Sequence, residues 1–337
     1  MIYSPDTPPL PSGPVARHYH IDASNSRITF QKPALTLGSN DTLDLASGGS
    51  LVSRGFASLA YGVAALGNNI RMNVSGTVAA DEVGIYASGN NNRVYIGTGG
   101  TIVARTGVAL NGENGWIENH SLILGTSIGI DLLSYKSSYY TGQIHNYGII
   151  SGPTAIRGSL AREAVYNYDL IDGKVQLLGG DDVFVNSGAN ARVVGTIDLG
   201  AGRDVAIGGN KTDIILGGDN NDTIYGGQGE DVLYGNQGAD TFVFHTSPGF
   251  GAVDRLPDFT SGEDQISLSS AIFSAFRPGS MPVVVRGLEY LPTAGIIHHT
   301  DGHVYYDPDG TAGRAAPQVF AYINPSVHLK TGDVIVY

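Results

Sequence analysis

The chain contains no cysteine, so neither a disulfide nor a thiolate-bound metal contributes to it. It is short of basic charge, with 19 Lys and Arg against 31 Asp and Glu, a net charge of -12. That deficit argues against nucleic acid as a partner and favours cations. No run of about 18 apolar residues occurs, so no membrane-spanning helix and no membrane insertion are expected. The opening stretch, MIYSPDTPPLPSGPVARHYH, is proline-rich and has no apolar h-region, so a cleaved export signal is not expected. The zinc-protease signature H-E-x-x-H is missing, and long helical periodicity is missing too.

What is present in excess is glycine, 48 residues of 337, without the three-residue period of collagen. Hydrophobic residues make up 42%, enough for a sizeable core. Residues 1–27 read as an extended lead-in. From 28 to 176 short β-rich runs alternate with Gly, Asn and Ser. The apolar anchors Val78, Ile102, Ile123, Ile150 and Ile171 recur at intervals of 24, 21, 27 and 21. A second set is Val94, Ile117, Ile144, Val165 and Val193. Rungs of this length cannot bury an apolar face alone, but stacked neighbours can. The expectation is an all-β fold, a right-handed parallel β-helix, with a β-sandwich of hairpins as the rival. The longest interval carries an insertion with Tyr135, Lys136, Tyr139 and Tyr140, a candidate ligand-binding loop or a tolerated surface insertion.

From 177 to 244 the period tightens to nine. The nonapeptides LGAGRDVAI, GGNKTDIIL, GGDNNDTIY, GGQGEDVLY and GNQGADTFV place aspartates at 204, 213, 222, 231 and 240. LLGGDDVFV supplies one more, Asp182. Position eight (Ala206, Ile215, Ile224, Leu233, Phe242) is always apolar and should face inward. Two nonapeptides make a coil of 18 residues, so Asp204, Asp222 and Asp240 form one column, and Asp213 and Asp231 another. Carboxylates one rung apart, about 4.8 Å, repel without a counter-ion. Calcium, which takes six to eight oxygens and accepts backbone carbonyls, suits such a lattice better than magnesium or zinc. The metal set is therefore Asp182, Asp204, Asp213, Asp222, Asp231 and Asp240. The turn residues Gly200, Gly202, Gly208, Gly217, Asp219, Gly226, Gln228, Gly235 and Gln237 complete it, chiefly through carbonyls.

The lattice resembles the RTX (repeat-in-toxin) calcium-binding repeat, G-G-x-G-x-D-x-U-x with U apolar. The resemblance implies a parallel β-roll that binds several Ca2+ ions. The segments DRLPDFTSGEDQISLS and YYDPDGTAGRAAPQVFAYI, within 245–337, resemble the terminal module of that family, a β-rich cap with a secretion signal. The family further implies type I secretion, a secreted and extracellular location, and folding driven by extracellular calcium. Two departures stand out. Lys211 occupies a position the family gives to glycine, where a left-handed backbone would be strained and the charge would oppose a cation. Leu199 replaces the first glycine of its copy.

The rungs of 28–176 resemble the β-helical passenger domains of secreted adhesins. That implies a non-catalytic module for surface attachment or for host or biofilm interaction, with an anionic polysaccharide or a host surface as partner. The alternative is a polysaccharide-modifying enzyme of lyase or epimerase type. Its acid–base candidates are Asp131, Lys136, Arg157, Arg162 and Glu163, though no DPHD motif is present. His18 and His20, and His298, His299 and His303, are either a transition-metal set or exposed turn histidines. Trp116 should point outward, as a sugar platform or a packed surface ring.

Overall fold

The computed structural model describes residues 16–55, 60–133, 142–249, 253–286, 296–309 and 315–337. The insertion with Tyr135, Lys136, Tyr139 and Tyr140 lies outside them. Short runs of β-branched and aliphatic residues, most of them ended by a Gly, Asn or Ser corner, form strands of three to five residues on one face of a solenoid. Among the described residues this face is a single sheet of 13 strands, from His18–Ile21 at one end to Val334–Val336 at the other, parallel throughout. Parallel pairing excludes the sandwich of hairpins. His18–Ile21 already pairs with Thr42–Leu45, so the solenoid begins inside the segment read as a lead-in.

The predicted anchors lie in register. Val78, Ile102, Ile123, Ile150 and Ile171 stack as successive partners. In the second set Val94, Ile117, Ile144 and Val165 stack, but the next rung is Phe184, not Val193. Val193 continues the first column, below Ile171. The repeat shortens here, and the strand Val183–Asn186 comes between Val165 and Val193 in the chain. The second column then crosses into the nine-residue region without a break, through Ala206, Ile224, Phe242 and Ile266, all fully buried. At the far end two antiparallel pairings, Ile296–Thr300 with His303–Asp307 and His303–Asp307 with Gln318–Ile323, depart from the parallel stacking.

Asparagine serves this solenoid in two ways. Asn40, Asn69, Asn91 and Asn114 stack at one corner with φ between 55° and 63°, which their short side chains tolerate. Asn119, Asn146, Asn167 and Asn186 instead form a buried ladder, each amide donating to the next carbonyl oxygen at 2.7–2.8 Å. Asn146 also donates to the carbonyls of Gly148 and Leu170. Replacing it with alanine orphans several buried partners at about 1–3 kcal/mol each, so Asn146→Ala should destabilise the fold by roughly 3 kcal/mol or more in urea unfolding. An unchanged midpoint would show that water replaces the amide.

Candidate calcium-binding site

The coils of the long sheet are entered at the same corner, and where an aspartate or Asn92 stands there its side chain caps a backbone N–H on the preceding rung. Arg17 donates to Asp41 Oδ1 at 2.8 Å and Ile70 to Asn92 Oδ1 at 2.9 Å. The same link recurs from Glu163 to Asp182, Asp182 to Asp204, Asp204 to Asp222, Asp222 to Asp240 and Asp240 to Asp264, at 2.7–3.0 Å. On the opposite edge of the roll Asp213 donates to Asp231 and Asp231 to Asp254. The two columns predicted from the 18-residue coil are therefore present, and each runs further than the repeat. Sequence reading missed their continuations, Asp254 and Asp264, because the spacing stretches from 18 to 23 and 24 residues where the cap begins. Glu163, considered as a catalytic acid, is instead the fully buried neighbour of Asp182 and accepts from Ser159 Oγ at 2.5 Å.

One carboxylate oxygen thus has a structural use. The other distinguishes the nine-residue region from the rest. Asp41 Oδ2 accepts from Gly38 N at 2.8 Å, and Asp264 Oδ2 from Thr260 N at 2.7 Å. At Asn92 the second atom is a donor, and it bonds the carbonyls of Gly67 and Gly89 at 2.9 and 3.0 Å. By contrast Oδ2 of Asp182, Asp204, Asp213, Asp222, Asp231 and Asp240 is buried with no hydrogen-bond partner, as is Oδ1 of Asp213. Buried carboxylate oxygens without a partner are costly unless a proton or a cation joins them.

Glycine at the first repeat position holds open the space beside these oxygens. A Cβ on Gly217 would fall 2.4 Å from Asp222 Oδ2, on Gly226 2.5 Å from Asp231 Oδ2, on Gly235 2.2 Å from Asp240 Oδ2, and on Gly208 2.9 Å from Asp213 Oδ2. The corresponding residues for Asp182 and Asp204 are Leu177 and Leu199, both buried in the core. Four aspartates therefore face a glycine cradle and two do not. Among the described residues no three His, Cys, Asp or Glu side chains converge to hold an ion on their own. The remaining oxygens of any site would come from backbone carbonyls and water, both of which the hard, flexible coordination of calcium accepts.

The turn geometry follows the repeat. Position two is left-handed in all five copies: Gly200, Gly209, Gly218, Gly227 and Asn236, φ 64–120°. At position four Gly202, Asn220, Gly229 and Gly238 also have positive φ, but Lys211 does not. The strain expected at Lys211 is absent, because its turn takes an ordinary backbone conformation. Asp219 and Gln237 bond each other through exposed side chains at 2.9 Å, so only their backbone is left to face the buried oxygens.

Burial pushes these carboxyls up. Desolvation, then the neighbouring Asp231, raises Asp213 to about 8. Desolvation, then adjacent aspartates, raises Asp222 to about 8, while the N–H of Asp204 pulls the other way. Asp204 rises to about 6 and Asp240 also rises, both chiefly by desolvation. A carboxyl with a raised folded pKa stabilises the fold fully below its unfolded value near 3.8 and loses that contribution as pH climbs through the folded value. In chelator the roll should therefore be more stable at pH 5 than at pH 8.5. Calcium, competing with protons, should raise the melting temperature more at pH 8.5 than at pH 5. Equal calcium shifts at both pH values would contradict a carboxylate site.

The other candidates do not assemble. Asp131 and Arg157 are locked in a two-pronged ion pair. His20 pairs with Asp44 at 3.1 Å, and His18 bonds Thr42 at 2.7 Å. Trp116 offers no open platform, since it stacks on His145 at 4.5 Å and carries Arg93 at 5.8 Å.

A parallel β-solenoid with buried, unpartnered carboxylates set over glycine cradles is, in its class, a calcium-binding β-roll. Residues 207–242 match the family model of the RTX calcium-binding nonapeptide repeat, in four copies. The chain thus carries an RTX repeat block, and calcium is its cofactor. A comparison with curated proteins finds no match to this chain.

Proposed function

We propose that the chain is a secreted attachment module, in which a self-supporting β-helix is joined to a β-roll that folds when extracellular calcium is met. The observation that carries this reading is the contrast along one corner column. In the β-helix the corner side chains Asp41 and Asn92 are satisfied by protein atoms, whereas those of Asp182 to Asp240 are not. Inside a bacterial cell, where free calcium is scarce, repulsion and desolvation keep the roll unfolded and fit for type I export. Outside, millimolar calcium closes it. The metal ligands on this reading are Asp213, Asp222, Asp231 and Asp240 over their glycines, with Asp182 and Asp204 as weaker members. An attachment role without catalysis is supported by the pairing of Asp131 with Arg157 and the burial of Glu163, which withdraw those three residues from the acid–base candidates of a lyase or epimerase.

Limited proteolysis of the full chain tests the division of labour. In calcium the solenoid should resist cleavage throughout. In chelator, cuts should fall within 177–337 while a fragment ending near residue 176 persists. Uniform digestion in chelator would sink the self-supporting β-helix.

A further inference from the structure

We infer that the groove between the last repeat turns and the cap binds an acidic sugar unit of a saccharide. The inference deepens the attachment reading and rests on it. Three strands bring the groove together. Arg255 sits between Val232 and Tyr322 as their parallel partner, and Tyr322 pairs in turn with His303. Side chains alternate along each strand. Asp254 and Leu256, Ala321 and Ile323, and Val304 are buried, so Arg255, Tyr322 and His303 all emerge on the outer face. With Glu230 from the repeat turn, and Val253 and Val319, they line a cavity of about 410 Å³, within the range of small-ligand sites.

Two features mark this as a built site. Arg255 and Glu230 both face the groove, yet neither side chain has a hydrogen bond or an ion pair among the described residues. Opposite charges left apart in one groove have their valences free for a ligand. Secondly, the Tyr322 ring is seated on Gly302, where a Cβ would lie 2.8 Å from Cε2 and where φ is +84°, a conformation that glycine adopts readily. The ring is also fixed edge-on by His303, at 5.1 Å between centroids.

The chemistry selects the ligand class. The forked guanidinium of Arg255 matches a carboxylate or sulfate. Glu230 accepts hydrogen bonds from ring hydroxyls, and His303 and the Tyr322 hydroxyl donate or accept at others. Val253, Val319 and the Tyr322 ring meet the apolar C–H surface of a pyranose. A neutral sugar would leave Arg255 unneutralised. A uronic acid and a sulfated sugar present the same chemistry. Because one wall belongs to the roll and the other to the cap, the groove exists only when calcium has folded the roll.

Isothermal titration of the full chain in saturating calcium tests this, with an oligouronate, a sulfated disaccharide and a neutral oligoglucan as probes. One or both acidic probes should bind, and the neutral one should bind at least about tenfold more weakly. Arg255→Gln and Tyr322→Leu should each weaken binding by about tenfold or more, whereas Arg192→Gln, an exposed residue outside the groove, should not. Circular dichroism in calcium checks that each variant folds, and Glu230→Gln replaces any that does not. Failure of both acidic probes to bind, or equal binding by wild type and Arg255→Gln, overturns the proposal. If wild type folds with calcium but binds neither acid, only the groove assignment falls. If calcium does not fold the roll, the attachment module of the preceding section falls as well.

Discussion

Removing calcium from the full chain should abolish the circular dichroism of the roll and cap, and adding calcium back, but not magnesium, should restore it cooperatively. The magnitude follows from linkage. A site at 100 times its Kd contributes about 2.7 kcal/mol, so four such sites supply roughly 10 kcal/mol, comparable with the whole stability of a typical domain. Four is the number of orphaned carboxylates that face a glycine cradle: Asp213, Asp222, Asp231 and Asp240. Without the ion each of these groups must either hold a proton or leave a buried charge uncompensated. Cooperativity is expected because the corner side chains are linked in series, each aspartate N–H capped by the carboxylate of the next coil, from Asp182 to Asp264. Ordering one coil places the cap for its neighbour. A chelated protein that keeps its full β signal, with a single unshifted melting transition, would reduce the lattice to a local ornament on a fold held by its core alone.

The second large effect separates the two jobs of a single aspartate. Asp222 Oδ1 caps the N–H of Asp204, while Oδ2 lies over Gly217 with no partner. Asp222→Asn keeps the acceptor and replaces the orphaned oxygen with a donor, as Asn92 already has at an equivalent corner. This variant should lose calcium affinity at its site by about 10-fold or more, yet be more stable than wild type in chelator. Asp222→Ala removes both functions. It should lose the affinity and also destabilise the calcium-free protein by about 1–3 kcal/mol, the cost of an unpaired buried N–H. Calcium titration by calorimetry, paired with urea unfolding in chelator, distinguishes the two. Equal chelator stability for Asn and Ala would mean that the cap has no energetic value.

Much of this was legible before any coordinates. The inward position eight, the 18-residue coil and both aspartate columns follow from a strict period. A repeating backbone repeats its environments, so equal spacing becomes equal place. Legibility failed where the period slipped. Val193 falls in the other column because one rung is short, and Asp254 and Asp264 escape the period because the cap lengthens the interval. Strain at Lys211 requires that its turn copy the others, and it does not.

By itself the sequence determined the class of the protein: a β-solenoid without cysteine or long helix, carrying an acidic nine-residue lattice made for a hard cation. Period and residue type are local properties, and they survive without coordinates. Only the tertiary structure decided which oxygens are already satisfied. Asp41, Asp264 and Asp204 share one corner, yet Asp41 and Asp264 spend both oxygens on protein donors and Asp204 does not. It likewise decided that Glu163 closes a structural column, that Trp116 has its ring occupied, and that Arg255, His303 and Tyr322 meet in one groove. These are outcomes of which strands come to lie side by side across the solenoid and its cap. They depend on partners tens of residues away, which no local pattern encodes.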